Sequence, residues 1–281
     1  MVKPIRLMGQ FPPLQAGRVV RQIIVDGLLG QWHRLLSIAL IPFILAVIVD
    51  LAAAIILDFR GSRNLVASPD VIVIDVANLI ILELLIGAFY TVNVARLLGI
   101  GSRTGKIRLD EDWRDAYGGV VLRLLVIYFF GALLVGGGFV AYLLFRDQLP
   151  TTQLAPFIIA IPALLHLYLY TRFSFVIAAA AVGAPYTFGD SVRATGGITL
   201  ILLGLNLVFC LPLVVAQLAL QTSTASSPVF GFTYFGVMLL TQLLFLLRVA
   251  VFTIINLVCF VNRTGWAPGD RASVVEGKGV D

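Results

Sequence analysis

The chain has 281 residues, of which 59% are hydrophobic and only 12% are charged, and its mean hydropathy is +1.00. Soluble domains carry about 25% charged residues, so this composition excludes a soluble globular protein, which could not bury so much apolar surface. The net charge is +5. Because the basic residues flank long apolar segments, this charge indicates orientation in a membrane and lipid headgroups as partners rather than nucleic acid.

The first residues of the chain predict an arm and then an interfacial helix. Residues 1–15 contain three prolines, and we expect them to form a flexible arm. Between residues 16 and 34, apolar residues such as Val20, Ile23 and Leu28 recur at helical spacing, with charged residues between them. This pattern is typical of an amphipathic helix that lies in the plane of the membrane interface.

Six apolar segments follow, and each exceeds the roughly 20 residues that a helix needs to cross the bilayer core. The predicted spans are residues 35–57, 71–100, 118–144, 154–182, 198–220 and 229–261. Short polar stretches precede spans three and five, at residues 109–115 and 187–193, and we expect an interfacial helix at each. The sequence therefore predicts an all-α polytopic membrane bundle of six transmembrane helices in residues 16–262 and a flexible cytoplasmic tail in residues 263–281.

The orientation of the bundle follows from its lysine and arginine residues. Sixteen of them lie in the segments on the side of the two termini, and three lie in the connections on the opposite side. Segments rich in lysine and arginine stay on the cytoplasmic side of a membrane. We therefore expect both termini to be cytoplasmic.

An arginine interrupts each even-numbered span, at Arg96, Arg172 and Arg248, and successive ones are 76 positions apart. Each is expected near the cytoplasmic boundary, where its long side chain can reach the headgroups. The alternative is a basic site for an anionic lipid or a phosphate-bearing ligand. The equal spacing also favours three tandem two-helix units with the three arginines at equal depth.

Span two carries polar side chains that are costly to place in a membrane. Its polar residues fall within one arc of the helix, and they are Asp75, Asn78, Glu83, Tyr90 and Asn93. Glu83 lies about 18 Å into the span, close to mid-membrane, so we expect it to face the bundle interior. Two interpretations stay open: a wet cavity that serves as an ion or proton path, and a hydrogen-bonded seam between helices.

The chain shows no recognisable catalytic, cofactor or metal site. Cys210 and Cys259 lie within apolar segments and are expected to be buried thiols, and the histidines His33 and His166 have no partner at metal-ligand spacing. The glycine-rich stretch at residues 99–105 lacks the spacing of a nucleotide-binding loop and predicts a turn. These observations favour a protein that is not an enzyme and has no cofactor.

One segment carries a family resemblance. An arginine followed by an aromatic residue and a small-residue stretch leads to a polar break and a new span, and the matching residues are Arg172, Phe173, Ser191, Arg193, Thr195 and Gly197. This arrangement resembles the bacterial six-helix membrane proteins named after the membrane domain of glycerophosphoryl diester phosphodiesterase, a family of unknown function. Val192 stands where that family usually has tryptophan, and Ala179 where proline is common. The phosphodiesterase activity belongs to a separate soluble domain and is not carried over.

The sequence leads to two main hypotheses about function. The first is a membrane-organising, lipid-associated or accessory protein of the bacterial cytoplasmic membrane, with membrane lipids as partners and a second membrane protein or a second copy as a further partner. The alternative is a small-solute or ion transporter that uses the polar face of span two. A continuous water-filled cavity that reaches Glu83 would favour transport, and a closed bundle with a basic groove facing the cytoplasm would favour lipid binding.

Overall fold

The computed structural model describes residues 15–59, 78, 80–100, 110–145, 151–223 and 231–266. All regular elements in these residues are helices. They are α1 (Ala16–Arg21), the π-helical segment π1 (Gln22–Leu29), α2 (Gly30–Phe59), the π-helical segment π2 (Ile80–Gly87), α3 (Ala88–Gly99), α4 (Glu111–Phe145), α5 (Thr151–Ala181), α6 (Phe188–Thr195), α7 (Thr199–Ser223) and α8 (Phe232–Thr264). Most of the predicted arm, most of the predicted tail, most of the glycine-rich stretch at residues 99–105 and Asp75 lie outside the described residues.

Six helices in the described part of the chain are long and apolar enough to cross a membrane. They cover Gly17–Ile56, Ile80–Gly99, Glu111–Gly138, Ala160–Ala181, Thr199–Thr222 and Phe232–Thr264. Large apolar side chains are exposed along their outer faces, for example Leu40 and Ile48 on α2 and Phe129 on α4. A surface of this kind suits lipid and not water. The predicted all-α polytopic bundle is confirmed, and the chain is a multi-pass membrane protein.

The first predicted interfacial helix is not a separate element. Segments α1, π1 and α2 follow one another without a break, and Val19 and Ile23 are buried. Gly27 brings π1 against α8 so closely that a Cβ at this position would lie 2.7 Å from Ile254 Cγ2. The apolar stripe between residues 16 and 34 therefore packs on the bundle, because α8 offers it a protein surface in place of the membrane interface.

The polar stretch before span three is also part of a longer helix. Asp110 accepts a hydrogen bond from the backbone N–H of Trp113 at 2.8 Å, which satisfies one of the free donors at the start of α4. Helix α4 then continues without interruption from Glu111 to Phe145. Among the three predicted short helices, the one before span five forms a separate helix, α6, which a reciprocal hydrogen-bond pair between Thr187 and Asp190 begins.

Helix α8 lies at the centre of the bundle and contacts π1, α2, α3, α5 and α7. Its side chains Phe245, Ile254 and Phe260 are almost completely buried. Two hairpins, α4–α5 and α7–α8, form the most extensive helix–helix contacts. Helices α5 and α7 contact each other much less, so the two hairpins diverge between these helices and leave a space.

A glycine turn produces this divergence. Gly197 follows α6 with a φ angle of +78°, a conformation that residues with a Cβ rarely adopt. The chain leaves α6, which packs along α5, and enters α7, which packs along α8. Arg263 of α8 holds the turn, since its guanidinium donates to the carbonyl oxygens of Ala194 at 3.0 Å and Gly196 at 2.9 Å.

Candidate functional site

A cavity of about 440 Å³ lies between the α4–α5 hairpin and the α7–α8 hairpin. Most of its lining is apolar and includes Leu124 of α4 and Phe252 of α8. Its rim includes Ala163 of α5 and Leu207 and Leu211 of α7, which are all exposed. These residues belong to membrane-spanning helices, so the cavity opens sideways between α5 and α7 toward the lipid.

Glu83 of π2 and Arg248 of α8 form an ion pair on the wall of this cavity. Arg248 Nη2 donates to Glu83 Oε1, and the two side chains are only 24% and 16% exposed. The guanidinium also lies over the ring of Phe245, with Cζ 5.5 Å from the ring centroid. Because an arginine does not lose its proton in a protein, Glu83 faces a permanent cation. Ions within a membrane bundle are rare unless they are paired in this way.

Further polar groups surround the ion pair. Tyr128 of α4 and Tyr170 of α5 line the cavity with ring centroids 6.4 Å apart, and both lie within the electrostatic reach of Glu83 and Arg248. Asn206 of α7 donates through Nδ2 to its own helix at 2.9 Å. Asn206 Oδ1 and Arg248 Nε are among the buried side-chain atoms of the described residues that have no hydrogen-bond partner, and both residues line the cavity.

Two other polar residues of span two, Asn78 and Tyr90, donate hydrogen bonds to α2. Asn78 donates to Asp50 Oδ1 of α2 at 3.2 Å, and Gln242 of α8 donates to Asp50 Oδ2 at 3.0 Å. The Tyr90 hydroxyl donates to the carbonyl oxygen of Leu35 in α2 at 3.3 Å. These contacts form the hydrogen-bonded seam that was one of the two interpretations of the polar face.

Asn93 turns toward a different neighbour and completes the seam. Its Oδ1 accepts a hydrogen bond from Trp113 Nε1 of α4 at 3.3 Å, and its Nδ2 donates to the carbonyl oxygen of Phe89 at 2.8 Å. Within the described part of span two, Glu83 is therefore the member of the predicted polar set that lines the cavity. The predicted set is divided between two roles because its residues point at different helices.

The three arginines of the even spans do not share one environment. Arg96 lies in the last turn of α3 and pairs with Asp110 at 3.4 Å, and Arg172 donates to Thr199 Oγ1 at 3.1 Å. Arg248 lies at the midpoint of α8, and the expectation that all three arginines lie near the cytoplasmic boundary stays a prediction. The carboxylate of Glu83 compensates the charge of Arg248 within the bundle, where an unpaired arginine would be costly.

The sequence contained a signal for the Glu83–Arg248 pair, but the regular spacing of the three arginines obscured it. Glu83 and Arg248 are 165 positions apart, on elements that meet only in the folded bundle. Both residues lie near the middle of an apolar segment, and their charges are opposite. The 76-residue spacing instead grouped Arg248 with Arg96 and Arg172. The relation between three tandem units remains a prediction from the sequence.

The residues of the family-like motif build the corner between α5, α6 and α7. Ser191 and Thr195 both donate to the carbonyl oxygen of Arg172, at 2.7 Å and 3.4 Å. The rest of the set has equally local contacts: Phe173 meets the ring of Phe188 at 5.2 Å, Arg193 pairs with Asp190 at 3.0 Å, and Gly197 forms the turn. None of these motif residues lines the cavity.

Two ionisable groups at this corner are perturbed. Hydrogen bonding from Thr187 lowers the pKa of Asp190 below its usual value. Burial raises the pKa of Tyr186 to about 12. Both groups are thus held in the ionisation state that they have at neutral pH, with Asp190 charged and Tyr186 neutral.

The remaining candidate chemistry is sparse. Within the described residues, no group of three or more His, Cys, Asp and Glu side chains could hold a metal ion. Cys210 and Cys259 are free thiols; Cys259 is buried as expected, whereas Cys210 is half-buried and lines the cavity together with His166. No protein-family model matches the chain, and neither a curated protein nor a solved structure shows significant similarity to it.

Proposed function

We propose that this membrane protein binds a lipid-soluble, amphipathic molecule in the cavity between its two hairpins. The observation that carries this proposal is the Glu83–Arg248 ion pair on the wall of a cavity that opens sideways between α5 and α7. The apolar lining suits a hydrocarbon body. The ion pair, the two tyrosines and Asn206 suit one polar group that accepts and donates hydrogen bonds. Binding sites with a mostly apolar wall and a few convergent polar groups are typical for small molecules.

The position of the opening favours a ligand that arrives through the lipid. The rim residues Ala163, Leu207 and Leu211 are apolar and belong to membrane-spanning helices. A water-soluble molecule would have to cross this apolar rim and lose its hydration shell without compensating contacts. The cavity volume of about 440 Å³ lies within the range of about 300–1,000 Å³ found for ligand pockets. This proposal keeps the lipid-associated hypothesis and moves the site from the boundary into the bundle.

Transport of a small solute or ion is the second candidate function. The cavity reaches the ion pair, and this observation favours transport. If the two side chains moved apart, a carboxylate and a guanidinium would be exposed to a solute in the cavity. Such a transporter needs a second conformation in which the site opens to the other side. Flux into proteoliposomes that is lost in Glu83→Gln while this variant remains folded by circular dichroism, with binding of the lipid-soluble ligand absent, would favour this candidate over the first.

A cavity-filling substitution tests the proposal. Ala163→Trp places a large ring at the rim of the cavity, and Ala132→Trp places the same ring on an exposed position of α4 that does not line it. After gentle extraction, native mass spectrometry should detect a bound small molecule on the parent protein and on Ala132→Trp. Ala163→Trp should lose it while remaining folded by circular dichroism. Equal retention of the molecule on both variants would contradict the proposal.

The setting of the protein is proposed on the sequence alone. The resemblance at residues 172–197 supports a bacterial inner membrane, and the excess of lysine and arginine supports cytoplasmic termini. Membrane lipids are the proposed partners, with a second copy or another membrane protein as a further one. Reporter fusions after Ser226 should be periplasmic and fusions after Gly269 cytoplasmic. The reverse result at both positions would contradict this orientation.

A further inference from the structure

A second cavity, of about 370 Å³, lies at the end of the bundle where α3 and α8 end. It is separate from the first cavity and shares no lining residue with it. Side chains of π1, α2, α3 and α8 surround it, and its polar and aromatic lining residues are Gln22, Asp26, Gln31, Arg34, Asn262 and Trp266. None of the residues predicted from the sequence as a site belongs to this set.

The wall of the second cavity is fixed by two contacts between π1 and α8. Gly27 lies so close to the side chain of Ile254 that a Cβ at this position would clash with it. Asn262 Nδ2 donates to Gln22 Oε1 at 2.9 Å. The wall also contains a π-helical segment, and such segments are frequent at functional sites because the extra residue changes the direction of neighbouring side chains. The cavity therefore has a defined shape between two packed helices.

The lining of the second cavity contains one acidic and one basic residue on the same helical run. Asp26 and Arg34 are exposed, line the same space and lie eight residues apart on the continuous helical run formed by π1 and α2. A cationic and an anionic group therefore line the same cavity. Trp266 stands beside them, and tryptophan is enriched at the level of the headgroups.

We propose that this cavity binds the headgroup of a zwitterionic phospholipid, with its phosphate at Arg34 and its primary ammonium at Asp26. The phosphate of a lipid carries a negative charge that a guanidinium can hold with two hydrogen bonds. The ammonium of an ethanolamine headgroup offers three donors to a carboxylate, whereas a choline headgroup offers none. A headgroup with only negative charge would place that charge beside Asp26. The occupant lies at a bundle end, so this site is independent of the cavity between the hairpins.

Lipid retention on the purified, delipidated full-length protein tests the assignment. Phosphatidylethanolamine, phosphatidylcholine and phosphatidylglycerol are added separately, and native mass spectrometry measures the bound fraction. We expect the parent protein to retain phosphatidylethanolamine about threefold more than the other two lipids, a factor that corresponds to an exposed ion pair. Arg34→Gln should weaken retention of all three lipids. Asp26→Asn should remove the preference for phosphatidylethanolamine and leave phosphate binding in place.

Matched controls use exposed residues of the same type that do not line the second cavity. Arg18→Gln is the control for Arg34→Gln, and Asp115→Asn is the control for Asp26→Asn. Both controls should behave as the parent protein does. The proposal is overturned if the parent prefers phosphatidylglycerol or has no preference, if Asp26→Asn keeps the preference, or if Arg18→Gln weakens retention as much as Arg34→Gln. These outcomes do not depend on whether the cavity between the hairpins holds a ligand.

Discussion

The ion pair between Glu83 and Arg248 should make the two partners unequal in mutational cost. Glu83→Gln leaves the guanidinium of Arg248 without its counter-ion in an apolar cavity, and arginine cannot become neutral by losing a proton. Arg248→Gln leaves a carboxyl that can become neutral by binding a proton. The side chains are only 16% and 24% exposed, so solvent screening is weak. We therefore expect Glu83→Gln to be the more damaging change.

The magnitude follows from the burial of the pair. Removing one partner of a buried ion pair costs about 3–5 kcal/mol, and we expect the free energy of unfolding to fall by this amount in Glu83→Gln. Arg248→Gln should cost about 1–3 kcal/mol, which is the range for a buried polar group that loses its partner. The double variant carries two neutral amides that can bond to each other. It should therefore be more stable than Glu83→Gln by about 2 kcal/mol.

Equilibrium unfolding in mixed micelles, with an increasing mole fraction of sodium dodecyl sulfate, measures these free energies for the parent, the two single variants and the double variant. A glutamate that bonded only neutral partners would tolerate glutamine with little loss, whereas the ion pair predicts a large one. The reasoning is refuted if Glu83→Gln unfolds within about 0.5 kcal/mol of the parent, or if the two single effects add within that margin.

Two further predictions concern the α4–α5 hairpin and the α6 corner. A Cβ at Gly131 would lie 2.4 Å from the ring of His166, so Gly131→Ala should lower the unfolding temperature, whereas Gly136→Ala meets nothing within 4 Å and should raise it slightly; equal shifts would contradict the close contact. Thr187→Ala should cost about 1 kcal/mol at pH 7 because it removes the helix cap. Since Thr187 lowers the pKa of Asp190, its contribution is present above the unfolded pKa of about 3.9 and is lost as pH falls through the folded value. The difference in unfolding temperature between the parent and Thr187→Ala should therefore shrink below about pH 4, and a constant difference would contradict the assignment.

The sequence by itself determined the class of fold. A run of about 20 apolar residues must satisfy its backbone groups internally, so each such run in lipid becomes a helix whatever its neighbours are. The six predicted spans accordingly match six helices in the described residues. The cost of a mid-membrane carboxyl also depends on position alone, which is why Glu83 stood out as a residue that must face a partner.

The identity of that partner was decided only by the tertiary structure. Glu83 and Arg248 lie on elements far apart in the chain, and their meeting depends on how α8 packs against π2 and α3. The same packing determines that residues 16–34 form part of the bundle rather than an interfacial helix. Local patterns of hydrophobicity report which side of a helix is apolar, but not whether that side meets lipid or another helix, since the two environments are equally apolar. The cavity between the hairpins and the second cavity depend on which helices pack together. Both lie between segments that are far apart in the chain, so no local pattern in the sequence predicts them.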